Sequence, residues 1–175
     1  MSRRSLCGMA IAMTSISMWS AAGAAHIIEE VEPNNFANQA QAISDFPGIG
    51  FYAIHGSILP GDVDFFAFEV TERSIFEAVV YSYPNLFPVP QARLELYDST
   101  GTILGTAEAG QPLWAYLSDM TLLPGTYVLG LTGLGDTFFT GEHDEQFEYT
   151  MHLIPGPAVA PLLLLPCLRG RRRRP

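Results

Sequence analysis

The chain has 175 residues, 9 basic against 18 acidic, a formal charge of −9 and a pI near 4.7. That balance excludes a nucleic-acid binder, whose electrostatic footprint is a basic stripe. The charge is also unevenly spread: there is no lysine, seven of the nine arginines lie near the ends, and His26 to Ile154 holds only Arg73 and Arg93 against all eighteen acids, formally −16.

In chain order, residues 1–25 open with Arg3 and Arg4, continue with an apolar stretch from Leu6 to Trp19 and close on Ala21-Ala22-Gly23-Ala24-Ala25. This is the layout of a secretory signal peptide cleaved near Ala24 or Ala25. Thr14, Ser15 and Ser17 interrupt the stretch, which falls short of the roughly 20 continuous apolar residues of a membrane anchor.

Residues 26–154 read as one all-β domain, long enough to bury its own core. Cys7 and Cys167 lie in the end segments, so this middle has neither a disulfide nor a Cys-ligated metal. Strands are expected at Tyr52 to Ile58 and at Asp64 to Val70, where Phe66, Phe68 and Val70 share a face. Further strands follow at Ile75 to Tyr81 and at Ala92 to Tyr97, with Leu94 and Leu96 inward and Arg93 and Glu95 outward. The last three fall at Leu113 to Ser118, Thr126 to Leu131 and Phe147 to Leu153. Turn signals separate them: Pro60-Gly61-Asp62, Asp98 to Gly101, Pro124-Gly125 and Gly133 to Gly135. Short strands at this spacing indicate a jelly-roll-like antiparallel β-sandwich.

Residues 155–175 form a tail: Pro155-Gly156-Pro157, an apolar run from Val159 to Leu168, then Arg169 and Arg171 to Arg174. Positive residues stay cytoplasmic, which holds such a tail transiently in the membrane during export. The tail resembles the PEP-CTERM class of bacterial sorting signals, with Gly156 in place of the family's central Glu and Pro161 and Pro166 interrupting the apolar run. The resemblance implies an exosortase-type transpeptidase as partner and the cell envelope or extracellular matrix as destination.

Within the middle, four blocks occur in order: Glu30-Val31-Glu32-Pro33-Asn34-Asn35; Gly56-Ser57-Ile58 with Gly61-Asp62-Val63-Asp64-Phe65-Phe66-Ala67-Phe68; Leu94-Glu95-Leu96-Tyr97-Asp98; and Pro124-Gly125-Thr126-Tyr127. Together they resemble the bacterial pre-peptidase C-terminal domain, a jelly-roll sandwich related to clostridial collagen-binding modules and usually appended to secreted peptidases and other exported enzymes. The match runs from about Glu29 to Leu153, and no peptidase domain accompanies it here.

Calcium is the sharpest chemical expectation. Hard cations take about six to eight oxygen ligands. Glu30, Glu32, Asn34 and Asn35 crowd oxygens into one extended segment, and Asp62 and Asp64 add two carboxylates at a tight turn. In the collagen-binding relatives an acidic linker and a loop of this kind jointly hold calcium. The resemblance therefore implies Glu30, Glu32, Asn34, Asp62 and Asp64 as ligands, with Asn35 beside them. Ordinary turn chemistry accounts for the same Asn and Asp residues without an ion. A second acidic loop, Asp136 with Glu142, Asp144 and Glu145, reads as a solvated turn.

Catalytic signals are poor. His26, His55, His143 and His152 belong to no HExxH motif, and there is no GxSxG. Asp62 and Asp64 as a glycosidase pair would sit about 7 Å apart on one side of a strand, without a general acid's apolar pocket. His55 reads as a strand surface residue. Trp114 with Tyr116, and Tyr81 with Tyr83, alternate on two strands and can either stack on sugar rings or peptide, or simply cover the core. The expectation is a secreted, non-catalytic binding or scaffolding module with a polysaccharide or protein ligand. Its alternatives are an accessory or prodomain-like module of a separate secreted hydrolase, and thirdly a hydrolytic enzyme.

Overall fold

The computed structural model describes residues 26–44, 46, 51–83, 91–109 and 114–157. The expected signal peptide, and the tail beyond residue 157, lie outside the described residues.

Among the described residues, alternation of large apolar and polar side chains builds ten strands. They are β1 (His26–Glu29), β2 (Gln41–Ile43), β3 (Tyr52–Ile58), β4 (Asp64–Val70), β5 (Ser74–Ser82), β6 (Ala92–Asp98), β7 (Ile103–Glu108), β8 (Tyr116–Leu122), β9 (Gly125–Gly133) and β10 (Phe147–Pro157). A 3-10 turn at Ala37–Gln39 is the one helical element among the described residues. The strands form two five-stranded sheets, ordered β1-β3-β10-β5-β8 and β2-β4-β9-β6-β7.

All seven expected strands form, β8 three to four residues later in the chain than expected. β1, β2 and β7 were not foreseen. The sandwich also departs from the antiparallel expectation, because β1 pairs with β3 and β2 with β4 in parallel. Each of these pairs is joined by a connection that visits the opposite sheet, so neither can close as a hairpin. β10 runs on through Pro155, Gly156 and Pro157, opposite Phe76, Ile75 and Ser74.

The core lies between the sheets. Phe66, Phe68, Leu94, Leu96, Leu129 and Leu131 meet Tyr52, Ile54, Phe76, Val80, Met151 and Leu153, all buried. Leu94 and Leu96 point inward as expected, but Arg93 and Glu95 are not solvated: they are 8% and 3% exposed. The loop after β9 folds over them and sets the Phe139 ring 6.0 Å from the Arg93 guanidinium. Under it, Arg93 pairs with Glu108 and with Glu95 (2.8 Å), and the Tyr97 hydroxyl donates to Glu95 at 2.6 Å. A buried charge is tolerable only when paired and hydrogen-bonded in this way. Asp98 starts the next turn as expected, its carboxylate accepting from the Thr100 and Thr102 amides.

Candidate metal centre

Two segments distant in sequence meet at one end of the sandwich. The first leaves β1 and is tied down at every step. Glu30 N donates to His55 O (2.8 Å), and the Gln41 side chain bridges Val31 N (2.8 Å) and Glu29 O (2.9 Å). Asn34 O accepts from Phe65 N (3.0 Å), which lays the segment across the start of β4. The second is the turn before β4, closed by Asp62 N donating to Leu59 O (3.0 Å). Gly61 sits there at φ +86°, a conformation that costs glycine little. The carbonyl of Asp62 is held from behind by Thr132 Oγ1 (3.3 Å) and His143 Nε2 (2.6 Å).

These constraints converge Glu30, Glu32, Asp62 and Asp64, with one carboxylate oxygen from each lying within 4.8 Å of the others. That span is compatible with the 2.3–2.6 Å calcium–oxygen distance, which places opposed ligands up to about twice that far apart. Asp64 is fully buried, Asp62 nearly so, Glu30 half-buried, and Glu32 exposed. Asp62 belongs to the turn rather than to the strand. The expected 7 Å separation of Asp62 and Asp64, which assumed two strand positions, therefore does not hold.

Asn34 and Asn35 complete the ring. With their amides turned to donate, Asn34 Nδ2 reaches Glu32 Oε2 (3.1 Å) and Asp64 Oδ1 (3.2 Å), and Asn35 Nδ2 reaches Glu32 Oε2 (3.1 Å) and Asp62 Oδ1 (3.0 Å). Turned the other way, the same positions direct two amide oxygens at the carboxylates, an arrangement that a cation between them, or a proton on a carboxyl, stabilises. All six residues named for calcium from the sequence are thus brought together, Asn35 as fully as the rest.

The electrostatics are those of like charges kept from water. Burial, with Glu30 beside it, pushes Asp64 up to about 9. Burial raises Glu30 as well, and burial with the nearby Glu32 carboxylate raises Asp62. Among the described residues, none of the four forms an ion pair with a basic side chain. Their remaining partners hold them in place: Ser57 N donates to Glu30 Oε2 (2.8 Å) and Tyr149 Oη to Asp64 Oδ2 (2.6 Å). Burial and the Asp64 carboxylate lift the Tyr149 phenol well above its usual range, so it stays a donor. Gly56 makes room, since a Cβ there would lie 2.5 Å from Tyr149 Oη and against Glu30 Oε2. Neither supporting role was foreseen. Tyr149 reads locally as one more inward strand residue, and only its position opposite Gly56 marks it.

The second acidic loop behaves differently. Asp136 is 1% exposed instead of solvated, and its carboxylate accepts from Thr140 N (3.0 Å), Gly141 N (2.7 Å) and Thr132 Oγ1 (3.1 Å). Glu142 and Asp144 are exposed, while Glu145 lies 3.3 Å from His143 Nδ1. The other histidines stand apart from the centre. His55 faces Glu29 (3.5 Å) and Tyr83 on the outer surface of the first sheet, and His152 packs on Tyr81 and Phe51.

No family model matches the chain, and no curated protein matches it. Among solved structures, the chain is similar to the pre-peptidase C-terminal domain of collagenase from Bacillus anthracis, with 13% identity, a TM-score of 0.45, and coverage of 77% of this chain and 98% of that one. It is similar to Aeromonas hydrophila PliG, a periplasmic lysozyme inhibitor of g-type lysozyme, at 10% identity and a TM-score of 0.39, covering 74% of this chain and 96% of that one. The corresponding PliG of Salmonella Typhimurium gives 14% identity and a TM-score of 0.34, with 74% and 97% covered.

Proposed function

We propose that this protein is a non-catalytic, calcium-stabilised binding module exported to the bacterial cell surface or extracellular matrix. One observation carries the reading: four carboxylates and two amides converge on a space of calcium size, with no basic side chain among the described residues to neutralise them. Calcium supplies that missing charge. Glu30, Glu32, Asp62 and Asp64 hold it, and Asn34 and Asn35 turn their oxygens inward. The chain's own residues then lock the linker after β1 onto the turn before β4, so the ion acts as a fastener between the two sheets. A catalytic reading of the same carboxylates finds little support, because Glu30, Asp64 and Glu32 are pinned by Ser57, Tyr149 and Asn34.

Export rests on the signal-peptide layout of residues 1–25, and surface sorting on the tail 155–175 and an exosortase-type enzyme that recognises it. Intact mass of the surface form is expected to end near Pro157, where β10 ends; an arginine run still attached would count against processing. For the ion, thermal melting with and without calcium decides. Saturation at a hundredfold excess over Kd adds about 2.7 kcal/mol, and Asp62→Ala is expected to abolish the shift. An equal shift in that variant would overturn the assignment.

A further inference from the structure

The outer face of the first sheet carries a band of rings that the calcium role leaves unused. Strand register sets Tyr81 level with Thr150 and His55, and Val79 level with His152 and Tyr116. Ring centroids follow one another at short range: Phe51 to His152 at 4.5 Å, His152 to Tyr81 at 4.8 Å, and Tyr81 to Trp114 at 4.8 Å. On the other sheet the equivalent surface rings, Phe65 and Tyr97, are covered by Phe139. Here Tyr116 and Tyr83 are 41% and 43% exposed. Beside Tyr116 lies a groove of about 450 Å³ lined by Glu77, Val79, Tyr81, Trp114, Tyr116 and Ile154.

The chemistry of that lining selects its occupant. Glu77, beside the Tyr116 hydroxyl, is the one charged group of the lining, and neither Arg73 nor Arg93 contributes. On a domain with this acidic excess, such a groove repels carboxylates, sulfates and phosphates, which removes anionic polysaccharides, nucleic acids and phospholipid headgroups. An extended peptide would pair with an edge strand, and β8 is such an edge. The groove instead lies on the face of the sheet, reaching from Tyr116 of β8 over Glu77, Val79 and Tyr81 of β5 to Ile154 of β10. β5 and β10 each have a strand on both sides. What fits is a ligand that stacks apolar C–H faces on rings and donates hydroxyl hydrogens to a carboxylate.

We infer that this groove binds an uncharged polysaccharide, seating a sugar ring among Trp114, Tyr81 and Tyr116 with Glu77 accepting from its hydroxyls. The inference rests on the binding-module reading above and names its ligand class.

Affinity electrophoresis of the full-length chain through gels containing laminarin, galactomannan, xyloglucan or hyaluronan tests it. Retardation is expected in at least one of the three uncharged polymers and not in hyaluronan. Trp114→Ala and the more exposed Tyr116→Ala are each expected to weaken it on the order of tenfold, and Phe138→Ala, exposed on the other sheet's loop, to leave it unchanged. Calcium melting curves on the same preparations separate the two claims. Retardation without a calcium shift sinks the ion and keeps the groove, and a calcium shift with no retardation in any uncharged polymer overturns the groove alone. Retardation indifferent to both ring variants, stronger binding to hyaluronan, or a Trp114-dependent dimer in sedimentation without sugar binding would each overturn it too.

Discussion

Asp136 and Asp64 are both buried aspartates beside glycine-containing turns, yet they have opposite electrostatic fates. Burial works against the charge of Asp136, but the amides of Thr140 and Gly141 and the Thr132 hydroxyl outweigh it and hold its pKa below the usual value. Asp64 meets the same burial with another carboxylate facing it, and is pushed up to about 9. The loop of Asp136 satisfies its carboxylate with its own backbone, whereas the carboxylates around Asp64 face one another, and it is there that the proposed cation would sit. Proximity to acids therefore does not distinguish a cation site; the count of donors aimed at each carboxylate does.

The widest separation between the two regions comes from removing each aspartate. Asp136→Ala strands the amides of Thr140 and Gly141 and frees the loop that carries Phe139 over Arg93. A loss of about 3 kcal/mol is expected, the same with calcium or chelator present. A calcium-dependent loss would mean that the two regions are not independent. At the other centre, Asp64→Asn keeps an acceptor for Tyr149 and removes the charge. Its melting temperature in chelator is expected to rise above wild type, while the calcium gain of about 2.7 kcal/mol disappears. A variant destabilised in chelator would show that the ionised carboxylate, and not a cation, is what the fold requires.

The pH dependence sharpens the contrast, because the signs are opposite. For Asp64 the folded state keeps its proton from about pH 4, where the unfolded chain loses it, up to about 9. That contribution is fully present below the unfolded value and is lost as pH rises through the folded one. Asp136 has a depressed pKa, so its contribution is present above the unfolded value and is lost only in stronger acid. Between pH 8.5 and 6 the chelated protein is therefore expected to gain stability on acidification, with Asp136 silent. Flat melting temperatures across that window would remove the buried like-charge pair from the account.

Local patterning made β4 and β6 legible, because Phe66, Phe68, Leu94 and Leu96 alternate with polar neighbours on an uninterrupted strand. It could not reveal β1 and β2, whose four and three residues are strands only because β3 and β4 lie alongside. The candidate ligand residues were legible as two acidic clusters, and the resemblance joined them; the parallel pairings that bring them together are long-range. Arg93 and Glu95 went wrong for a related reason. Alternation correctly assigns them to the outer face, but whether a distant loop covers that face is not written in the strand. Asp136 carried an unused signal, since an aspartate with Thr140 and Gly141 shortly after it matches a side chain capping its own loop.

Gly56 tests whether the centre is a fitted site or merely a crowded one. A Cβ at this position meets Tyr149 Oη at 2.5 Å and presses on Glu30 Oε2. Tyr149 is fully buried and cannot swing away, so Glu30 must leave its bond to Ser57 N. Gly56→Ala is expected to cost about 2 kcal/mol in chelator, as overpacking does, and more in calcium, because a ligand moves with the strain. An equal cost in both conditions would place Glu30 outside the coordination set.

The smallest effect belongs to the exposed acid of the self-satisfied loop. Glu142 is exposed and has no hydrogen bond or ion pair among the described residues. Its charge adds to the acidic field without facing another carboxylate at close range, so neutralising it relieves no buried repulsion and removes no donor's partner. Glu142→Gln is expected to change stability by less than about 0.5 kcal/mol and to leave the calcium shift intact, whereas Glu32→Gln, also exposed but inside the converging set, is expected to weaken that shift. Parallel calcium titrations of the two variants, matched in charge change and exposure, separate position from acidity. If both reduce the shift alike, the ion responds to the domain's overall negative field and not to the geometry of the centre.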